Sequence, residues 1–146
     1  MRFDQLLPSP FYRVAIKAII QDKSSRLLLV RTFEGWEMPG GGWEHSESFE
    51  ECLKREIYEE LGVQLISHSD ILFTYKGRNI KNYFALRLIV RAELSSLDIH
   101  PTVNDILETK FVAKEELLGL EMSDDEAPIR DFSDIIWSST SLKKQG

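Results

Sequence analysis

The segment from Gly40 to Val63 constrains the fold more than any other part of the chain, because it specifies a helix and both of its ends. Four apolar residues within it recur at intervals of four, namely Phe49, Leu53, Ile57 and Leu61. This spacing places them on one stripe of an α-helix and predicts that the stripe packs against a sheet. We therefore predict a helix from Phe49 to Leu61.

The ends of this helix carry their own signals. Ser48 followed by Glu51 fits a capping box, with Ser46 as an alternative N-cap. Gly62 follows the last apolar position, where a left-handed residue commonly ends a helix. Three glycines precede the helix, and the sequence MPGGG predicts a turn.

The rest of the chain predicts an α/β protein with a mixed sheet. Aromatic and β-branched segments predict strands at Phe11–Ile20, Arg26–Thr32, Ile71–Tyr75, Asn82–Leu94 and Lys110–Ala113. Two further helices are expected at Lys114–Leu120 and Pro128–Trp137. The polar QDKSS predicts that a hairpin joins the first two strands.

Size and charge limit the class of protein. We expect one domain over residues 1–146, with a frayed tail from about 139 to 146. The net charge of −6 argues against a stable nucleic acid partner. No apolar run has the length of a membrane span or of a secretory signal, so we expect a cytoplasmic protein with no membrane partner. A single cysteine, Cys52, excludes an internal disulfide.

The predicted helix concentrates negative charge on one face. Glu56, Glu59 and Glu60 stand at i, i+3 and i+4, which brings the three carboxylates together. Taken alone, such a face is more often simply solvated. Clustered oxygen ligands also suit a hard cation, above all Mg²⁺, with Mn²⁺ as a substitute.

The residues before the helix favour the metal site. Gly40 can offer its carbonyl to the same ion. Glu47 lies eight residues before Arg55, and an ion pair between them would hold the entry loop against the helix. The alternative is an ordinary surface pair that stabilises little.

Nine positions of this segment resemble a known pattern. They are Gly41, Glu47, Arg55-Glu56-Ile57, Glu59-Glu60 and Gly62-Val63. Their spacing is that of the Nudix box, so the chain resembles the Nudix (MutT-like) hydrolases. The box covers 23 of the 146 residues. The resemblance implies a Nudix-type α/β/α sandwich with a mixed β-sheet.

The resemblance also implies an activity. Members of the family hydrolyse a nucleoside diphosphate linked to another moiety, by attack of water on a phosphorus of the diphosphate. It implies that Gly40, Glu56, Glu59 and Glu60 hold Mg²⁺. Arg55 and Glu47 would keep the loop and the helix in register, with Gly41 and Gly62 as conformational residues.

Several assignments stay open at this point. Either Glu59 or Glu60 would serve as the general base. Asp105 or Glu108, in a later loop, could join the metal site. Arg31, at the end of a strand just before the glycines, could reach a substrate phosphate.

The substrate is a small nucleotide on this interpretation, and a homodimer is left open. The proline that marks ADP-ribose hydrolases is absent from Lys76–Lys81, and the tyrosine of dinucleoside polyphosphate hydrolases is missing there too. This leaves a nucleoside triphosphate or a modified nucleotide as the expected substrate. The competing hypotheses are a Nudix-fold regulatory module that binds a nucleotide without turnover, and an isoprenyl diphosphate isomerase, for which Cys52 is poorly placed.

Overall fold

Two β-sheets form the centre of the fold. The computed structural model of the chain describes residues 11–77 and 83–138. Its strands are β1 (Phe11–Ile19), β2 (Leu27–Thr32), β3 (Gly35–Glu37), β4 (Gly40–Gly42), β5 (Leu65–His68), β6 (Phe73–Lys76), β7 (Tyr83–Leu94) and β8 (Glu108–Val112). Its helices are α1 (Phe49–Leu61), α2 (Lys114–Gly119), a 3-10 helix (Ala127–Phe132) and α3 (Ser133–Ile136).

The larger sheet is mixed. Its strand order is β4-β1-β7-β5, and β6 also pairs with β7. Strands β1 and β7 run parallel, with Phe11–Ile19 opposite Tyr83–Arg91, while the other pairs are antiparallel. The smaller sheet has the antiparallel order β3-β2-β8.

Alternation along the central strands builds a core on each side. Ile16 and Ala18 of β1 face the core that includes the apolar stripe of α1. Ile19 faces the opposite core, together with residues of α2, the 3-10 helix and α3. Since strands covered on both faces are apolar on both faces, this arrangement explains the nearly continuous apolar sequence of β1. The predicted α/β/α architecture with a mixed sheet is confirmed.

Helix α1 spans the predicted Phe49–Leu61, and its ends follow the predicted signals. Ser48 is the N-cap: its hydroxyl accepts the Glu51 N–H at 3.1 Å, and the Glu51 carboxylate accepts the Ser48 N–H at 2.8 Å. The alternative cap, Ser46, is therefore wrong. Gly62 is left-handed, with φ of 71°, and a Cβ there would lie 2.0 Å from the His100 carbonyl oxygen. Only glycine fits this position.

The predicted hairpin of the first two strands forms only at its tip. Gln21 and Leu27 make an isolated bridge, and β1 and β2 then enter different sheets. The reason is that both edges of β1 are already occupied, by β4 and β7. The prediction identified the two strands but not their partners.

Other predictions need correction. The glycines after Met38 form strand β4, which pairs with Ala15–Lys17, instead of a turn. The expected helix Pro128–Trp137 is a 3-10 helix followed by the single turn of α3. Proline in the first turn lacks an N–H, and the pattern of apolar residues does not distinguish 3-10 from α-helix. Strand β5 was not predicted.

Strand β3 was likewise not predicted, whereas β1, β2, β6, β7 and β8 agree with prediction to within a few residues at their ends. Asn82, the predicted first residue of the long strand, and the tail from 139 to 146 lie outside the described residues. Within residues 11–77 and 83–138, no helix has the length and apolar character needed to cross a membrane.

Candidate active site

The glycine strand β4 lies against the acidic face of α1. A Cβ at Gly41 would stand 2.6 Å from the carboxyl carbon and oxygens of Glu56, so the absence of a side chain lets this carboxylate approach the backbone. The Gly40 N–H donates to the Glu60 carboxylate at 2.7 Å. The strand thus positions two of the three carboxylates among the predicted metal ligands.

The three glutamates differ in their surroundings. Glu60 is buried, with 8% of its surface exposed, and Glu56 is nearly so. Glu59 is partly exposed, with Oε2 3.5 Å from Nη1 of Arg55. Burial raises the pKa of Glu60 to about 8, against the opposing effects of the Lys17 ammonium and the Gly40 N–H. Burial also raises the pKa of Glu56.

The three carboxylates do not converge on one position where a metal ion could contact all of them. Over the described ranges 11–77 and 83–138, no three His, Cys, Asp or Glu side chains are grouped closely enough to hold a metal ion. Glu56 accepts a hydrogen bond from Arg55 Nη1 at 2.7 Å, and Glu60 accepts one from the Gly40 N–H, so each carboxylate already has its own partner. The donor set nevertheless fits a hard cation: it consists of oxygens, and a bound cation would offset the cost of burying two carboxylates.

Arg55 joins the entry loop to the helix. Its Nε and Nη2 donate to the two carboxylate oxygens of Glu47 at 2.9 and 2.6 Å. Nη2 also donates to the Gly42 carbonyl at 3.1 Å. The Arg55 guanidinium lowers the pKa of Glu47 to about 2 through these hydrogen bonds, so the pair is ionised across the physiological range.

A polar cavity of about 280 Å³ opens beside this arrangement. The residues that line it include Glu56, Glu60, the three glycines of β4 and Asp105. Glu108, the other candidate of the later loop, instead pairs with Arg31 at 3.1 Å. The structure therefore brings Asp105, and not Glu108, to the predicted ligands.

Arg31 does not line the cavity. Besides its exposed pair with Glu108, its guanidinium lies 5.9 Å from the centre of the Trp36 ring. A different arginine, Arg13 of β1, lines the cavity. The order of residues along the chain placed Arg31 next to the glycines, whereas the pairing of β1 with β4 places Arg13 there.

Sequence reasoning also missed Lys17, which is 2% exposed beneath the glycine strand. Its ammonium donates to the carbonyls of Met38 at 3.2 Å and Gly40 at 3.1 Å, and to Glu37 at 3.1 Å. Burial alone would lower the pKa of Lys17, but the carboxylates of Glu126, Glu37 and Glu60 raise it above its usual value. A lysine amid the apolar residues of FYRVAIKAII was the available signal.

A second missed cation, Arg87 of β7, lines the same cavity and pairs with the fully buried Glu126. Nearby, Asp125 Oδ1 is buried and has no hydrogen-bond partner among the residues the structure describes. The cavity thus combines carboxylates with buried cations, a mixture suited to a charged ligand that carries hydrogen-bond donors.

Cys52 is packed beneath the glycine strand. Burial raises the pKa of its thiol to about 12, so the thiolate needed for nucleophilic chemistry is scarce at neutral pH. This weakens the hypothesis of an isomerase with a catalytic cysteine.

Comparisons with known proteins bear on the fold and the family of this chain. An RNA pyrophosphohydrolase from Shewanella piezotolerans is 34% identical over 61 residues, which make up 40% of this chain and 35% of that protein. The match thus spans about a third of that relative's length. The MutT protein from Methanosarcina mazei has a TM-score of 0.74 at 25% identity, over 90% of this chain and 96% of that one.

A third similar protein is the NUDIX domain of Shewanella oneidensis NrtR, solved in complex with ADP ribose. Its TM-score is 0.70 at 14% identity, and the match covers 94% of each chain. At this identity the likeness concerns the fold alone. The model of the NUDIX domain matches residues 11–132, most of the chain and nearly all of the described fold. The chain therefore belongs to the NUDIX family.

Proposed function

We propose that this protein is a Mg²⁺-dependent hydrolase of a nucleoside diphosphate linked to another moiety. The observation that carries the proposal is the single cavity that joins the glycine strand to Glu56, Glu60 and Asp105. Similar proteins include one described as an RNA pyrophosphohydrolase and one described as a MutT protein. A nucleoside triphosphate or a modified nucleotide is the proposed substrate.

The proposed metal ligands are Glu56, Glu59, Glu60 and the Gly40 carbonyl, with Asp105 as a further candidate. A bound Mg²⁺ would neutralise phosphate charge and lower the pKa of the attacking water. The Gly40 carbonyl already accepts from Lys17 at 3.1 Å, and its second lone pair remains for an ion. Mn²⁺ is the expected substitute because it prefers the same ligands.

The chain's own residues have three proposed tasks. Arg13 and Arg87 attract and orient the phosphates at the rim and wall of the cavity. Glu59 or Glu60 accepts the proton from the attacking water. Arg55 holds Glu47, Glu56 and the Gly42 carbonyl together, which fixes the glycine strand relative to the helix.

We expect turnover to stop in excess chelator and to return on addition of Mg²⁺ or Mn²⁺, because the phosphates and the acidic face otherwise repel each other. A screen of nucleotides with detection of phosphate or pyrophosphate provides the assay, and calorimetric titration with Mg²⁺ alone provides a readout independent of activity. Full turnover in excess chelator would refute the metal requirement.

The second candidate is a nucleotide-binding module without turnover. It draws support from the orientation of Glu56 and Glu59 towards Arg55, because no preformed metal site is seen among the described residues. Nucleotide binding with Mg²⁺ present, together with no product from any nucleotide in the same screen, would favour this candidate.

A mutant cycle tests the role of Arg55. Arg55→Lys keeps the charge but loses the planar fork that contacts both Glu47 oxygens, so we expect activity to fall by about 10²-fold through misplacement of the glycine strand. Glu47→Gln should have a similar effect. In the double mutant the losses should be much less than additive, both in kcat/KM and in Tm.

Strictly additive losses would show that Arg55 and Glu47 act independently, and the loop-holding role would have to be abandoned. Lys54→Met serves as the control, because Lys54 is exposed on the same helix.

A further inference from the structure

A second cleft opens next to the polar cavity lined by Glu56, Glu60 and Asp105, which we call the carboxylate cavity. It has a volume of about 580 Å³ and is lined by Tyr12, Arg13 and Val14 of β1 and by Trp43 and its neighbours before α1. Arg13 lines both this cleft and the carboxylate cavity. A ligand whose phosphates bind at the carboxylates would therefore reach the second cleft by passing Arg13.

Two aromatic side chains, Tyr12 and Trp43, line the cleft, and each packs against another aromatic ring. Tyr12 stacks on Phe84 with ring centres 5.5 Å apart, yet 50% of Tyr12 is exposed. Trp43 packs edge-on against Phe49 at 5.6 Å and donates its indole N–H to the Glu47 carbonyl at 2.9 Å, yet 40% of it is exposed. Large aromatic surfaces fixed in place and left open to solvent are typical of ligand sites.

Arg13 stands at the junction of the two cavities. Its Nη2 lies 2.7 Å from the point that a Cβ on Gly42 would occupy, so the glycine strand makes room for the guanidinium. Within residues 11–77 and 83–138, no carboxylate lies within ion-pair distance of Arg13. A guanidinium without an acidic partner suits a phosphate, which it can bind through two parallel hydrogen bonds.

We propose that this aromatic cleft, lined by Tyr12 and Trp43, binds the planar base of a nucleotide whose phosphates lie at the glycine strand, with Arg13 between the two. The inference rests on the proposed function only in placing the phosphates. The volume of the aromatic cleft lies in the range of cavities that hold small molecules. The carboxylate cavity is half as large and is lined mainly by charged groups. Any base can stack on an aromatic ring, so the cleft binds purines and pyrimidines alike.

Binding of ligands that cannot be hydrolysed tests the inference. The ligands are the adenosine and cytidine triphosphate analogues with methylene groups in place of both anhydride oxygens, compared with inorganic tripolyphosphate, all with Mg²⁺. Removal of a stacking ring by Tyr12→Ala should weaken binding of both nucleotide analogues by about tenfold and change that of tripolyphosphate by less than about twofold. Tyr12→Phe keeps the ring and should bind like the wild type.

Tyr58→Ala is the matched control, because Tyr58 is also 50% exposed but lies on α1, outside either cleft. If Tyr12→Ala lowers Tm enough to disturb the comparison, Tyr12→Leu repeats it, since leucine covers Phe84 without an aromatic face. Equal losses for nucleotide and tripolyphosphate, or no loss for either, would overturn the inference. So would wild-type protein that binds the nucleotide analogues no more tightly than tripolyphosphate.

The ligands separate this inference from the proposed function. If nucleotide binding depends on Tyr12 but the protein hydrolyses no nucleotide, the proposed hydrolysis would be refuted and the aromatic cleft would stand. If the protein hydrolyses nucleotides but Tyr12→Ala does not change their binding, the proposed hydrolysis would stand and the aromatic cleft would be rejected.

Discussion

Replacing Glu60 with glutamine is expected to lower kcat/KM by at least about 10²-fold while the fold stays intact. Glutamine keeps an oxygen that can accept the Gly40 N–H, now at 2.7 Å, so the contact between helix and glycine strand survives. What is lost is a group that can ionise when a cation binds, and with it either a metal ligand or the acceptor of the water proton. Because burial raises the pKa of Glu60 to about 8, the side chain is mostly protonated at pH 7 in the metal-free protein, and replacement by neutral glutamine should change Tm little.

Glu59→Gln, measured alongside, separates the two roles of Glu60 and Glu59. A metal ligand loses Mg²⁺ affinity in calorimetric titration, whereas a general base loses kcat at unchanged affinity. Glu50→Gln is the matched control, because Glu50 is exposed in the first turn of the same helix. An unchanged rate in Glu60→Gln, with unchanged Mg²⁺ affinity, would remove Glu60 from the site.

Helix α1 was predictable because its signals are local. The apolar stripe, the Ser48–Glu51 capping box and the left-handed Gly62 all lie within fifteen residues of one another, and each is read without knowledge of the rest of the fold. The family pattern adds Glu47 and Arg55 at a fixed separation, and the structure joins them by two hydrogen bonds.

Strand β4 was not predictable in the same way. Its three glycines have no side chains, so they carry no alternation of apolar and polar positions. Their strand conformation comes from pairing with Ala15–Lys17 of β1, more than twenty residues earlier. The same pairing brings Arg13 to the cavity and leaves Arg31 with Glu108, so the sequence alone favoured the wrong arginine.

The buried cations were missed for a related reason. Lys17 and Arg87 interrupt apolar strands, which signals an unusual position but not its partners. Those partners come from distant parts of the chain: Glu37 is the last residue of β3, and Glu126 precedes the 3-10 helix. A residue can be recognised as unusual from its neighbours in sequence, whereas its role follows only from its neighbours in space.

Lys17 carries the second large expected effect, this time on stability. Lys17→Met retains most of the side-chain length but removes the charge that faces Glu37, Met38 and Gly40, all within 3.2 Å. Removing one partner of a buried ion pair leaves the other charge uncompensated, so we expect the free energy of unfolding to fall by about 3–5 kcal/mol. Denaturant unfolding measures it, with the exposed Lys54→Met expected to change it by less than about 0.5 kcal/mol.

An uncompensated charge and a simple packing defect at Lys17 lead to different results in a double mutant. If the loss comes from an uncompensated Glu37 carboxylate, then Glu37→Gln added to Lys17→Met should recover part of the lost stability, because the charge left unpaired is gone. A packing defect would instead leave the two losses additive. Additivity, or a Lys17→Met variant as stable as the wild type, would mean that the lysine beneath the glycine strand does not hold that strand in place.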